Sequence, residues 1–180
     1  MRTPFVVVCL LAAALSGGAA QTPQPTVLEP SAKVTGLTVT HVGIYTAETT
    51  SVPAQAGQQT PTKTVATAAG WHFASASNEV KAKIGAQFGI EFRIDGAPDG
   101  SAVTLYLVLI FPPEGIRNPN TGDLMHEARV AFPNMKIGSL CLLGYNFGNA
   151  WEIAPGVWTE QIWYQDRMLA EQKFTVSKAE

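Results

Sequence analysis

Cysteine and charge are both scarce in this chain. Among 180 residues the only cysteines are Cys9 and Cys141, and Cys9 lies in an N-terminal segment with the marks of a cleaved signal. One remaining thiol rules out a disulfide framework within the monomer, so a hydrophobic core must hold the fold by itself. Lysine and arginine number 12 against 14 aspartates and glutamates, a net charge of −2, and loss of Arg2 with the signal makes the mature chain slightly more acidic. That weak acidity argues against nucleic acid and anionic membrane surfaces as partners, since both call for a clustered basic patch. The three histidines, His41, His72 and His126, stand far apart, with no His-x-His or His-x-x-x-His spacing and no cysteine pair beside them. Zinc sites usually contain at least one close ligand pair, so no metal is expected and no motif calls for another cofactor. Convincing helical periodicity is missing as well. Asn78 to Ala86 has room for a helical turn, but Val80, Ala82 and Ile84 alternate just as well.

What is present begins with an address. Residues 1–20 have the anatomy of a secretory signal peptide, with Arg2 as its positive start and Phe5 to Leu15 as an apolar stretch. That stretch is shorter than the about 20 residues a bilayer-spanning helix needs, and no second apolar run backs it. Gly18-Ala19-Ala20 supplies small residues for cleavage before Gln21. Cys9 lies behind Val6-Val7-Val8, without the small residue a lipid-modification site requires. The mature protein is therefore expected to be periplasmic or secreted, soluble and monomeric. About 160 residues suffice for one domain with its own core.

Residues 21–33 are rich in proline, threonine and glutamine and read as a flexible leader. Val34 to Tyr45 reads as a first strand, with a bulge or bend near Gly43. Residues 46–69 hold almost no large apolar side chains and read as a flexible insertion. Gly70-Trp71-His72-Phe73 restores apolar character as a short edge strand. In Phe88-Gly89-Ile90-Glu91-Phe92-Arg93-Ile94 the large residues take one face, and Gly89, Glu91 and Arg93 take the other, toward water. Asp95 to Gly100 is dense in turn formers. Val103 to Phe111 is apolar on both faces, as a central strand would be, and Pro112-Pro113 ends it. Glu127 to Phe132 and Leu140 to Phe147 are further strands, separated from Phe111 by a polar loop from Ile116 to Met125.

The C-terminal block reads as a hairpin. Trp158, Ile162 and Tyr164 alternate, as do Ala170, Phe174 and Val176, around Gln165-Asp166-Arg167. A three-residue turn there sets Trp158 opposite Phe174 and Ile162 opposite Ala170 on one buried face. A two-residue turn would shift the register by one and send Phe174 to the other side. Altogether the mature chain reads as all-β, an immunoglobulin-like antiparallel β-sandwich of about seven strands over residues 34–176.

Ile84 to Ile90, Asp95 to Gly100, Pro155-Gly156-Val157-Trp158, Ile162-Trp163-Tyr164 and Phe174-Thr175-Val176 together resemble the bacterial domain-of-unknown-function family 3859. The resemblance covers roughly residues 34–176. It implies a β-sandwich and a bacterial envelope setting, and brings no catalytic residues with it. The chain departs from the pattern at Glu160, where an aromatic or aliphatic residue is expected, and at Asp166-Arg167, where a turn glycine is expected.

Reactive constellations are hard to find. Asp95 and Asp99 beside glycines suit tight turns better than a calcium loop, which needs a distal bidentate glutamate. No Gly-x-Ser-x-Gly elbow occurs. Cys141, flanked by aliphatic residues, reads as a buried core thiol. A hydrolase built on Asp123, His126 and Glu127 has only their sequence proximity in its favour. The expectation is a non-enzymatic domain, protein-binding or structural in the envelope. The alternative is a carbohydrate-binding module built on exposed Trp71, Trp151 and Trp163, for a flat aromatic can hold a sugar or a peptide. The binding site is expected at Trp151 or Trp163 beside the Ile116–His126 loop, with Arg117 and Asp123 giving directional contacts to a protein or an envelope glycan.

Overall fold

Short runs of valine, isoleucine, leucine and phenylalanine, broken by glycine, proline and aspartate, make most of the described residues strand. The computed structural model describes residues 31–178, so the expected signal peptide and residues 21–30 of the leader lie outside the described residues. Strands follow in the order β1 (Lys33–Pro53), β2 (Thr64–Ser75), β3 (Glu79–Ala82), β4 (Gln87–Ala97), β5 (Ala102–Ile110), β6 (Ile116–Arg117) and β7 (Leu124–Met125). Then come β8 (Glu127–Lys136), β9 (Leu140–Asn146), a 3-10 turn (Ala150–Glu152), β10 (Gly156–Tyr164) and β11 (Arg167–Lys178). Sheet A has the order β2-β1-β4-β9 and sheet B the order β3-β11-β10-β5-β8, while β6 and β7 pair only with each other. The eleven strands among the described residues exceed the about seven expected; β6 and β7, of two residues each, are too short to show a period, whereas the alternation at Val80 and Ala82 belongs to β3.

The two sheets meet on an aromatic core. Phe88, Ile90, Phe92 and Ile94 of β4 are all buried, as are Leu105, Leu107 and Leu109 of β5, an interior strand of sheet B between β10 and β8. Trp158 sits among Phe88, Phe111 and Phe147, with ring centroids 5.9, 4.9 and 5.3 Å away, and its indole N–H donates to the Ala154 carbonyl at 2.8 Å. Edge-on contacts of this kind suit the aromatic quadrupole. Thus Trp158 buries both its rings and its one polar atom.

The hairpin β10–β11 pairs Trp158 with Phe174 and Ile162 with Ala170, as expected. Its turn, however, is shorter than expected. Tyr164 pairs with Arg167, leaving Gln165-Asp166 as the turn, and an irregularity between Ile162 and Trp163 restores the register. The bulge absorbs the one-residue slip that would otherwise have moved Phe174 to the other face. Gln165, at φ 53°, takes the left-handed conformation that a turn glycine would have supplied. Arg167 then donates to the Val34 and Thr35 carbonyls, at 2.7 and 2.9 Å, and ties the start of β1 to the far end of the chain.

Three further expectations change. Residues 46–69 are mostly ladder: β1 runs on to Pro53 and β2 begins at Thr64, with Thr46 paired to His72 and Pro53 to Thr64. The outer face of β4 is not given to water from Gln87 to Ile94, since Gln87, Gly89 and Glu91 are buried with the inner face and only Arg93 is exposed in that stretch. Cys141 is half-buried against the core rather than inside it, its thiol 3.6 Å from the Ser139 carbonyl.

A row of glycines shapes sheet A. Gly43 pairs with Gly89 and Gly89 with Gly144, and backbone atoms occupy the space a Cβ would need at each. Just past that row the β1–β2 ribbon leaves the sheet and becomes an arm. Its tip reaches the edge of sheet B, where Gln59 and Arg129 exchange backbone hydrogen bonds at 3.0 Å and Gln58 donates to the Ala131 carbonyl at 2.9 Å. Asn118, buried in the β6–β7 turn, donates to the Pro61 carbonyl at 2.7 Å and fixes the arm from a second side.

Candidate binding surfaces

The sequence-predicted site residues are spread over several places. Arg117 turns back on its own hairpin and donates to the Gly122 carbonyl at 2.9 Å. Asp123 pairs with Lys63 of the arm at 3.1 Å, an exposed ion pair, and lysine together with the Thr121 hydroxyl holds its carboxyl below the usual range. Trp151 lies on the 3-10 turn, half-buried against the core and beside β6, so its element does adjoin that of Arg117. Trp163 is elsewhere. It pairs with Tyr106 on the outer face of sheet B, four residues along β5 from Ile110, or about 13 Å at strand spacing from the end of β5 that leads into the β6–β7 hairpin. Asp123 is engaged by the arm, and Glu127 pairs opposite Ile110 in the ladder.

Nor do the tryptophans form one platform. Trp71 belongs to the outer face of sheet A, where its indole N–H donates to Glu91 Oε2 at 2.7 Å. Glu91 Oε1 also accepts from the Thr40 hydroxyl at 2.7 Å and meets His41 Nδ1 at 2.6 Å, while the His41 ring stacks on Phe73 at 5.3 Å. Burial works against the charged form of Glu91, but the hydrogen bonds from Thr40, Trp71 and His41 outweigh it and hold the carboxyl below its ordinary range. Among the described residues no three His, Cys, Asp or Glu side chains gather as metal ligands.

The outer face of sheet B carries a different surface. Trp163 is half-buried between Tyr106 on β5 and Met168 on β11. Its indole N–H donates to Gln161 Oε1 at 3.0 Å, and Gln161 donates in turn to Glu171 Oε2 at 2.8 Å. One strand further, the Arg129 guanidinium lies 4.8 Å from the centroid of the Tyr106 ring. The result is an oriented indole and a phenol ring flanked by one cation and one anion. Tyr106 and Arg129 carried no sequence signal of their own. Their strands were legible, but which residues face outward and meet Trp163 depends on a strand order that sequence alone does not give.

Between the sheets, under the arm, is a cleft of about 270 Å³. Leu107, Leu109, Val130 and Phe132 form its apolar wall; Thr60, Asn146 and Glu152 bring oxygens to it. Glu152 is buried, its Oε2 accepting from the Tyr145 hydroxyl at 2.6 Å and its Oε1 from Asn149 at 2.7 Å. Burial first, then the charge and hydrogen bond of Glu152, push the Tyr145 hydroxyl well above its ordinary pKa, so it stays a donor.

A family model matches residues 33–176, under the description Domain of unknown function (DUF3859). The chain belongs to the DUF3859 family. An immunoglobulin-like protein of Pseudomonas aeruginosa shares the fold of this DUF3859 domain, with a TM-score of 0.52 at 19% identity, over 78% of this chain and 96% of that one. At that identity the likeness establishes the immunoglobulin-like sandwich and nothing about activity. No curated protein matches the chain. Among the described residues no helix is long and apolar enough to cross a membrane.

Proposed function

We propose that this DUF3859 protein is an exported, non-enzymatic module of the bacterial envelope that holds a protein partner on the outer face of sheet B. Export rests on the composition of residues 1–20, with a positive start, a short apolar stretch and small residues before Gln21. The partner reading rests on one observation, the Trp163–Tyr106–Arg129 surface with its Gln161–Glu171 relay. Tryptophan, tyrosine and arginine carry most of the energy at protein interfaces, and an indole already fixed by a hydrogen bond loses little entropy on binding. The same fixed indole, set between an amide and a carboxylate, also favours a second reading, in which a sugar ring stacks on Trp163 and bonds to Glu171.

The test is cross-linked co-purification of the mature protein from the envelope fraction, with Trp163→Ala and Arg129→Ala beside the wild type. Both variants should lose the captured partner while melting close to wild type. Release of the captured species by free oligosaccharide would favour the glycan reading. Undiminished capture by both variants would place the partner site elsewhere.

A further inference from the structure

The cleft under the β1–β2 arm has what a packing defect lacks, which is unmet polar demand. Thr60 is 7% exposed, and its hydroxyl has no hydrogen-bond partner; Asn146 Oδ1, on the facing strand β9, is buried and equally unpartnered. Both residues line the cleft with the Glu152 carboxylate. Buried polar atoms are nearly always hydrogen-bonded, and leaving one bare costs about 1–3 kcal/mol. Two residues carrying such atoms along one cavity, opposite a wall of Leu107, Leu109, Val130 and Phe132, describe a site rather than a flaw.

Their chemistry narrows the occupant. Asn146 Oδ1 and Glu152 accept only, and Thr60 both accepts and donates, so the oxygens ask for a ligand that donates. The wall opposite asks for an apolar body. The arm supplies Thr60, and it is fixed from two sides, by the Gln59–Arg129 bridge and by the Asn118 bond to Pro61. The site is therefore formed before anything enters it, as small-molecule pockets usually are.

We infer that the cleft beneath the arm binds a small ligand with an apolar body and an N–H donor group, received by Thr60, Asn146 and Glu152. This site is separate from the Trp163 face and stands whether or not a partner docks there. Two forms of the donor satisfy the same oxygens, a neutral amide and an ammonium group.

Three probes of one shape decide the matter: benzamide, benzylamine and acetophenone, which lacks a donor. Methyl resonances of Leu107, Leu109 and Val130 in the intact mature protein report occupancy. Benzamide, benzylamine or both should shift these methyls saturably, with acetophenone at least about tenfold weaker, because a site built for a donor leaves its oxygens bare when the donor is missing. Stronger binding of benzylamine would identify an ammonium ligand, and stronger binding of benzamide an amide. Thr60→Val and Asn146→Leu should each weaken the favoured probe about tenfold without lowering the melting temperature, since neither removes a hydrogen bond made by the orphaned oxygen. Trp163→Ala should leave the titration unchanged. Equal binding of acetophenone, or no methyl shift with any probe, would overturn the proposal.

Discussion

The Glu160 carboxyl lies between Trp158 and Ile162 on the inner face of β10, fully buried, with neither oxygen partnered among the described residues. Burial pushes its pKa well above the carboxylate range, so the folded protein holds it as a neutral acid. The sign of the linkage follows. Below the unfolded value of about 4.3 both states carry the proton and no penalty arises. Above it the unfolded chain releases the proton and the folded chain does not, so stability falls as pH rises toward the folded pKa. Glu160→Leu should therefore raise the melting temperature at pH 7, and Glu160→Gln should flatten its decline as pH rises from the unfolded value through neutrality. Thermal melts across that range check both, and parallel curves for wild type and Glu160→Gln would mean the carboxyl is not held neutral. Trp158, next but one along the strand, is the opposite case. Alanine there should cost about 3–5 kcal/mol, a large share of a domain's stability, read by chemical denaturation. Trp158 was legible as core from alternation alone. Glu160 stood out only as a departure, since no period reveals that a charge faces inward.

Among elements, the strands with one buried face were legible and the arm was not. Phe88 to Ile94 alternates because one face must leave water, and Trp158 to Tyr164 does so for the same reason. From Thr46 to Pro53 almost every residue is exposed, so the ladder there rests on backbone pairing and carries no hydrophobic period. The composition that suggested an insertion is the composition of a ribbon that packs neither face into the core. The cleft was illegible for a related reason: Thr60 and Asn146 are ordinary polar residues until the arm crosses to bring them together. At the β10–β11 turn the missing glycine has a measurable consequence. Gln165 holds φ 53°, where a side chain is strained. Gln165→Gly should relieve about 1 kcal/mol of that strain, less what the freer unfolded chain takes back, and so stabilise by some tenths of a kcal/mol. Equilibrium denaturation measures it, and destabilisation would show that Gln165 makes contacts worth more than its strain.

Across the whole molecule, the sandwich and its roof are energetically distinct. The core cluster draws on β1, β3 to β6 and β8 to β11, and on Phe111, Ile137 and Phe147 between strands, but on no residue from 46 to 79. The arm is instead held by polar ties: the Gln59–Arg129 bridge, the Asn118 bond to Pro61 and the exposed Lys63–Asp123 pair, of which the last contributes little. Hydrophobic burial dominates stability, so replacing residues 55–62 by a two-residue Asn-Gly turn should leave a cooperatively melting sandwich. The loss should be clearly smaller than that of Trp158→Ala, because deleting the ties removes bonds worth about 1 kcal/mol each and no core side chain. Amide exchange should then quicken along β8 around Arg129, where the bridge is lost, and stay slow in β4 and β10. The cleft, opened to solvent, should release its preference for a donor probe, because water would satisfy Asn146 in the ligand's place. If the shortened chain unfolds instead, the arm belongs to the folding core and the cleft is a seam within it; if exchange stays slow throughout, the arm was never holding the edge of sheet B.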